Sequence, residues 1–496
     1  MLQSLRRYHE ITSYQRDAMS GGYLEWSNQP TVYKRYPNAP RVPLPMELDF
    51  PSVGMQELMR DPFAFKISQT WDLKKLSGIL RLTCAITARS SHPGGDFFYR
   101  STPSAGALYP CEIYLAASGI NGLPAALYHY NLEEHSLVKL RPLEPRGAAD
   151  ACSLTFFVSV IFFRSSWKYR ERAYRYLLLD SGHVLENLLL ALRATCTPHR
   201  TLLDFQDEKV NSFLGLESRQ EVCLAMVEAG DLESGASPLT EALSESSYPF
   251  PKPEPPAPRE TIYPAILEAH KAGCCPMRWG EGPVLRMLEE LGLALGPSQL
   301  MEAAQPRLDE MGYVESLWRR RSKRAYLPRP MDKQSFCCLL ESLNIHGTFS
   351  CRKSNQLLAI GLLVREVEGL DCGFYLLDTE KGAIYEAAKG DLSKGMASAC
   401  LDQAWMAQAS LQVLFLSNLE VLESRMGPRA YRHVMILSGR LGQRIYLAST
   451  ALGLGACGVG AFYDREAASL LGLNEFSKLL YVLTSGPVRG RAPWVS

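Results

Sequence analysis

The densest basic run in the chain is Arg319-Arg320-Arg321-Ser322-Lys323-Arg324, just ahead of a segment with helical spacing. In an extended segment a guanidinium and a hydroxyl two residues apart point to the same side, as a phosphate needs. Arg320, Arg321, Ser322 and Arg324 are therefore candidate anion ligands, with a solvated basic face as the competing reading. Pro103 to Pro110 reads PSAGALYP. Pro103, Ser104, Ala105 and Gly106 are small enough for a flat ring to approach the backbone, and Ser104 could hydrogen-bond the ring's polar edge. Taken alone, this stretch is an ordinary Pro/Gly turn. Gly453-Leu454-Gly455-Ala456-Cys457-Gly458-Val459-Gly460 follows a long apolar segment. A dinucleotide glycine motif would follow a strand, so that reading fails. The run reads instead as a glycine-rich helix end whose backbone groups face a ligand edge, or as a helix cap and tight turn. In Trp167-Lys168-Tyr169 a lysine beside a tyrosine offers a proton acceptor and a hydrogen-bond partner, provided burial lowers the lysine pKa. A surface pair is the alternative.

These segments need elements to position them, and the chain supplies most elements twice. AYRYLLLDSGHVLENLLLA from Ala173 aligns with AYRHVMILSGRLGQRIYLA from Ala430. At one constant offset Tyr174 meets Tyr431, Arg175 meets Arg432, Ser181 meets Ser438 and Gly182 meets Gly439. The same offset, without a gap, puts Ser212–Leu216 on Ser469–Leu473. Such spacing marks a duplicated unit. Apolar periodicity predicts helices over 73–84, 176–194, 333–343 and 431–452, and strands over 112–116, 126–130, 154–163 and 221–229. In the second copy strands fall over 357–364, 373–377, 411–417 and 479–485. A mixture of short strands and long buried helices predicts an α+β fold. The expected divisions are an N-terminal arm over 1–48, a first domain over 49–232, a Pro/Ser/Glu-rich linker over 233–280 and a second domain over 281–496, after an amphipathic stretch from Val284 to Leu293.

The 496 residues exceed what one core usually serves. Lys+Arg (53) and Asp+Glu (52) nearly cancel, which argues against a nucleic-acid or anionic-membrane surface. No apolar run approaches a membrane span, and the polar N-terminus does not read as a secretory signal. Thirteen scattered cysteines without metal-ligand spacing read as reduced thiols of a cytoplasmic protein, with no metal site.

Taken together, the motifs make the chain resemble the nitroreductase superfamily, and within it the SagB/McbC/ThcOx-type azoline-dehydrogenase branch. Tyr8-His9-Glu10-Ile11-Thr12, the PSAGALYP stretch, Lys168-Tyr169 and Tyr174-Arg175-Tyr176 with Asp180-Ser181-Gly182-His183 look like that branch. The Arg320–Arg324 start and the Gly453–Gly460 run are similar to the superfamily at large. The resemblance implies two tandem nitroreductase-like domains forming an intramolecular pseudo-dimer, with FMN between them. It implies that Arg320, Ser322 and Arg324, with neighbouring Arg321, hold the FMN phosphate, completed by Arg489 or Arg491. Gly458, Val459 and Gly460 would lie at the flavin N5 side, and Pro103, Ser104, Ala105 and Gly106 would cross from the other domain onto the ring. Lys168 and Tyr169 would be the catalytic pair.

Each unit also lacks what the other keeps. The first has Arg60-Asp61-Pro62-Phe63-Ala64 where the basic start belongs, and Ala194-Thr195-Cys196-Thr197-Pro198-His199 in place of the glycine run. The second has Phe349-Ser350-Cys351-Arg352-Lys353-Ser354 in place of PSAGALYP, and Arg425-Met426 opposite Lys168-Tyr169. This pattern predicts one complete composite site and one lost one. The favoured function is azoline dehydrogenation in a modified peptide, with a cyclodehydratase as implied partner. An NAD(P)H-dependent nitro, quinone or enone reductase and a flavin-free partner-binding scaffold are the alternatives.

Overall fold

The computed structural model describes residues 4–19, 23–59, 71–92, 95–143, 153–230, 248–278, 284–301, 311–345 and 356–489. The segments 60–64 and 349–354, residues 233–247 and 279–280 of the expected linker, and Arg491 lie outside the described residues.

The strands of the first half are Arg41–Pro43 (β1), Ile86–His92 (β2), Gly95–Arg100 (β3), Cys111–Ser118 (β4), Ala126–Asn131 (β5), Ser136–Pro142 (β6), Ser153–Ile161 (β7), His199–Leu202 (β8) and Glu221–Gly230 (β9). Those of the second are Ser298–Leu300 (β10), Ala359–Val364 (β11), Gly373–Asp378 (β12), Ala383–Lys389 (β13), Leu411–Asn418 (β14), Leu454–Val459 (β15) and Ser477–Pro487 (β16). Two seven-stranded antiparallel sheets share one topology, β1-β6-β5-β4-β7-β9-β8 and β10-β13-β12-β11-β14-β16-β15. Even the irregularities repeat. The β7–β9 ladder shifts register between Val158 and Ser159, and β14–β16 shifts between the aligned Phe415 and Leu416. The central strands β7 and β14 are nearly continuous apolar runs, buried along their length, as strands covered on both faces must be. The hairpin β2–β3 stands apart from both sheets.

The helices are Leu5–Ile11 (α1), Met55–Met59 (α2), Leu73–Thr83 (α3), Phe162–Tyr169 (α4), Ala173–Ala194 (α5), Asp207–Leu214 (α6), Pro264–Ala272 (α7), Tyr313–Arg319 (α8), Lys333–Ser342 (α9), Ser393–Ala399 (α10), Leu419–Met426 (α11), Arg429–Ala451 (α12) and Asp464–Leu470 (α13). The long helices α5 and α12 pack on each other, and each lies on strands of its own sheet. The order of layers is therefore sheet, helix, helix, sheet, the tandem α+β arrangement expected from the repeat.

What lets the helices meet is the absence of side chains where they cross. A Cβ on Gly182 would collide with the Ile436 carbonyl and lie 2.8 Å from the Gly439 Cα. A Cβ on Gly439 would collide with the Leu179 carbonyl and lie 3.0 Å from the Gly182 Cα. Around this crossing the halves exchange charge reciprocally. Arg172 and Arg175 reach Asp464 of α13 at 2.7 and 2.6 Å, and the aligned Arg429 and Arg432 reach Asp207 of α6 at 2.9 and 2.6 Å. All six groups are buried.

Several segments differ from the sequence expectation. The glycine run is an edge strand, β15, because β16 supplies a ladder that single-segment propensity cannot anticipate. The short strands β6, β8 and β13 lacked a legible period. The expected linker contains α7, and the N-terminal arm contains α1, whose Leu5, Tyr8 and His9 are buried. The two helices play matching parts. His9 Nδ1 meets the Tyr431 hydroxyl at 3.0 Å, and His270 Nδ1 meets the Tyr174 hydroxyl at 3.2 Å.

Gly182→Ala is expected to cost about 1–3 kcal/mol, since overpacking at a backbone crossing has no soft neighbour to yield. Asp464→Asn leaves two buried guanidiniums without a counter-charge and is expected to cost about 3–5 kcal/mol at neutral pH. Burial alone would raise the Asp464 and Asp207 pKa values, but the paired arginines outweigh it and hold both below the usual range. A depressed folded pKa contributes stability above about pH 4 that is lost as pH falls. In urea denaturation the gap between wild type and Asp464→Asn should therefore close in acid; a pH-independent gap would contradict the ion-pair account.

Candidate active site

Near one end of the α5–α12 layer a cleft opens between the halves, with an empty volume of about 760 Å³, mouth included. The first half lines it with Pro103, Ser104, Ala105 and Gly106, with Tyr169 from the end of α4, and with one face of α5. The second half adds Ser322 and Arg324 from the extended segment after α8, Trp405, and the end of β15 from Cys457 to Ala461.

Of the residues expected from sequence, Pro103, Ser104, Ala105, Gly106, Tyr169, Ser322, Arg324, Gly458, Val459 and Gly460 meet in this one cleft. Ser322 Oγ lies 2.9 Å from the Tyr446 hydroxyl, which accepts from the Gly458 N–H at 2.6 Å. Arg324 is exposed, with its guanidinium 5.6 Å from the Trp405 ring centroid. The glycines are needed for close approach. A Cβ on Gly460 would come within 2.8 Å of the Tyr176 ring, and one on Gly106, at φ +66°, within 2.8 Å of the Tyr169 hydroxyl.

The other expected residues stand elsewhere. Arg320 is buried and turned toward the first half, donating to the Ser101 and Arg100 carbonyls at 2.7 and 2.8 Å. Arg321 donates to Thr87 of the β2–β3 hairpin and lies over the Tyr99 ring. Both clamp the halves together and do not line the cleft. The extended backbone that aims Ser322 and Arg324 one way sends Arg321 the other, and Arg320 is the C-cap residue just after α8. Arg489 is exposed after β16, outside the lining. Lys168 is exposed behind Gly106, its Nζ 3.4 Å from where that residue's Cβ would be. The burial that a lysine base requires is absent.

Sequence reasoning used Tyr176, Asp180 and His183 of α5 as marks of resemblance without giving them a role, and passed over Tyr446 and Tyr481 of the second half; all five are in the lining. An aspartate and a histidine inside a long apolar helix were the available signal. Asp180 accepts the Ser104 hydroxyl at 2.6 Å and the Ala105 N–H at 3.3 Å. Burial pushes its carboxyl up to about 7, against those two hydrogen bonds. His183 has both ring nitrogens engaged, by Gln443 and by the Tyr481 hydroxyl at 3.1 Å each, and burial lowers it to about 3.

The described residues at the pseudo-symmetric position differ in kind. There Leu203 stands for Gly460, Leu437 for Asp180 and Arg440 for His183. Arg440 and Arg444 close on Glu186 at 2.7 and 2.6 Å, and His433 and Arg429 cover the Leu203 carbonyl.

The nitroreductase family matches residues 72–230 and 317–486. One half is 30% identical over 186 residues to a protein of Methanocaldococcus jannaschii assigned to the nitroreductases, spanning 36% of this chain and 94% of that one. The trifolitoxin-processing protein TfxB of Rhizobium leguminosarum bv. trifolii is 30% identical over 138 residues, 25% of this chain and 37% of TfxB. The microcin B17-processing protein McbC of Escherichia coli is 26% identical over 163 residues, 29% of this chain and 58% of McbC. A solved structure from Anabaena variabilis, also assigned to the nitroreductases, shares the whole fold at a TM-score of 0.76 and 24% identity, covering 98% of this chain and all of the other. With both matched segments inside its two halves, the chain belongs to the nitroreductase family, in tandem form.

Proposed function

We propose that the chain is an FMN-dependent oxidoreductase that dehydrogenates an azoline ring, thiazoline to thiazole or oxazoline to oxazole, in a modified peptide or related natural product. One observation carries the reading: a single cleft gathers the small-residue loop and Tyr169 of one half with Ser322, Arg324 and the glycine strand of the other. The similarity to TfxB and McbC, which process peptide toxins by name, favours a peptide substrate.

The residues present fit FMN. A hydroxyl and a guanidinium at Ser322 and Arg324 suit a phosphate. Walls of small residues, 103–106 and 458–461, suit a flat ring. Arg320, buried and with no carboxylate paired to it among the described residues, adds positive potential behind Tyr446. When bound, FMN supplies a hydride acceptor. The protein's part is to hold and orient. Burial keeps the Tyr169 phenol protonated, so it donates a hydrogen bond to the substrate. Lys168 stands at the mouth, where it meets the part of the substrate that projects outward. A cyclodehydratase is the partner that would form such a ring.

The purified protein should be yellow, and a thiazoline peptide should lose two hydrogens on incubation with it. Oxidation of NAD(P)H with no change in the peptide would instead favour a reductase, and a colourless protein a scaffold. Arg324→Ala should remove a charge-assisted contact worth about 1.5–3 kcal/mol, about ten- to a hundredfold in FMN Kd. Arg320→Ala should chiefly lower the unfolding midpoint, because its partners are carbonyls of the other half. Lys168→Ala and Tyr169→Phe should both keep the flavin; Tyr169→Phe, which loses one hydrogen bond to the substrate, should slow turnover about tenfold, and Lys168→Ala should chiefly raise KM. Loss of flavin from either would show that the pair serves binding instead.

A further inference from the structure

Dehydrogenating an azoline releases a proton from one ring carbon as well as a hydride from its neighbour, so the cleft must hold a proton acceptor. Lys168 stands outside the lining and is exposed. Of the titratable groups inside, the phenols of Tyr169, Tyr446 and Tyr481 are held protonated by burial. Tyr176 accepts the Arg172 Nε–H at 3.1 Å. His183 has no free nitrogen, and burial raises the Cys457 thiol. Arg324 is a permanent cation. Asp180 remains.

Its carboxylate lies in the cleft wall, on a rigid buried helix. It is steadied from one side by the Ser104 hydroxyl and the Ala105 N–H, while Ser104 Oγ accepts the Tyr109 N–H at 2.9 Å. That loop is itself tightly determined, with Gly106, Ala107 and Tyr109 all at positive φ. Tyr109 and Cys111 face the carboxylate from its own half, Tyr169 from α4 and Tyr481 from the second half, all uncharged. Neither Lys168, beside Gly106, nor Arg324, in the lining, forms an ion pair with it among the described residues.

We propose that Asp180 is a catalytic residue of the dehydrogenation: its carboxylate takes the proton from one ring carbon while the neighbouring carbon gives its hydride to oxidised FMN. The electron pair of the broken C–H bond becomes the new ring double bond, and the proton leaves to water after turnover. This rests on the function proposed above. A carboxyl pushed up to about 7 is a stronger base than an ordinary aspartate and exchanges protons at working pH. The base acts when ionised, so the rate climbs as pH rises through its pKa.

The test uses the flavin-loaded full chain. Wild type should show a rate limb rising near neutral pH. Asp180→Asn should keep its flavin, lose the limb and turn over at least about a hundredfold more slowly. Ser104→Ala, which removes a hydrogen bond favouring the charged form, should keep a limb displaced to higher pH. Carbon NMR with labelled aspartate, on flavin-loaded and flavin-free protein, should show a carboxyl titrating near neutrality that disappears in Asp180→Asn. A limb that survives in Asp180→Asn, or a carboxyl titrating near the ordinary value of about 4, would overturn the inference. A protein that takes up no flavin would overturn the function proposed above, while the NMR titration would still report on Asp180.

Discussion

At Gly182 and Gly439 two helix backbones pass with no side chain between them, and the rest of the molecule follows from that approach. It brings the faces of two sheets to a fixed separation. It also lets arginines at the start of each long helix reach the aspartate that opens the other half's short helix. Buried ion pairs contribute little net stability when complete, yet they are costly to break, so they fix register more than they add strength. Crossing glycines and exchanged charges together define a pseudo-twofold axis, and the cleft is a place that axis leaves open.

The axis relates two positions, and the described residues at the two differ. A symmetric pair of sites would need both halves to keep both contributions. Here the first half keeps the loop at 103–106 and the acid Asp180, and the second keeps Ser322, Arg324 and the glycine strand. At the mirror position Leu203, His433, Arg440 and Arg444 occupy the space and bind one another and Glu186. On that side Arg440 and Arg444 of the second half help hold the halves together through Glu186 of the first. The same division is visible in Arg320, which a sequence reading places on an anion and the fold spends on two carbonyls.

Much of this was legible beforehand. The central strands and the helices α3, α5, α9 and α12 followed from apolar period, and the duplication from one constant offset that survived the loops. The composite character of the cleft followed from what each copy lacks. Other parts were hidden for physical reasons. The glycine run carries no alternation, and only β16 beside it makes it a strand. Which side chains of the Arg320–Arg324 run face inward depends on how the segment leaves α8. Asp180 and His183 were conspicuous as polar residues within an apolar helix, but their meaning depends on Ser104, Gln443 and Tyr481, which come from three other elements.

The central claim is that two halves make one flavin site. Titrating flavin-stripped protein with FMN by calorimetry tests it most directly. The account predicts a single binding event with one FMN per chain. Two FMN per chain, or none, would contradict it.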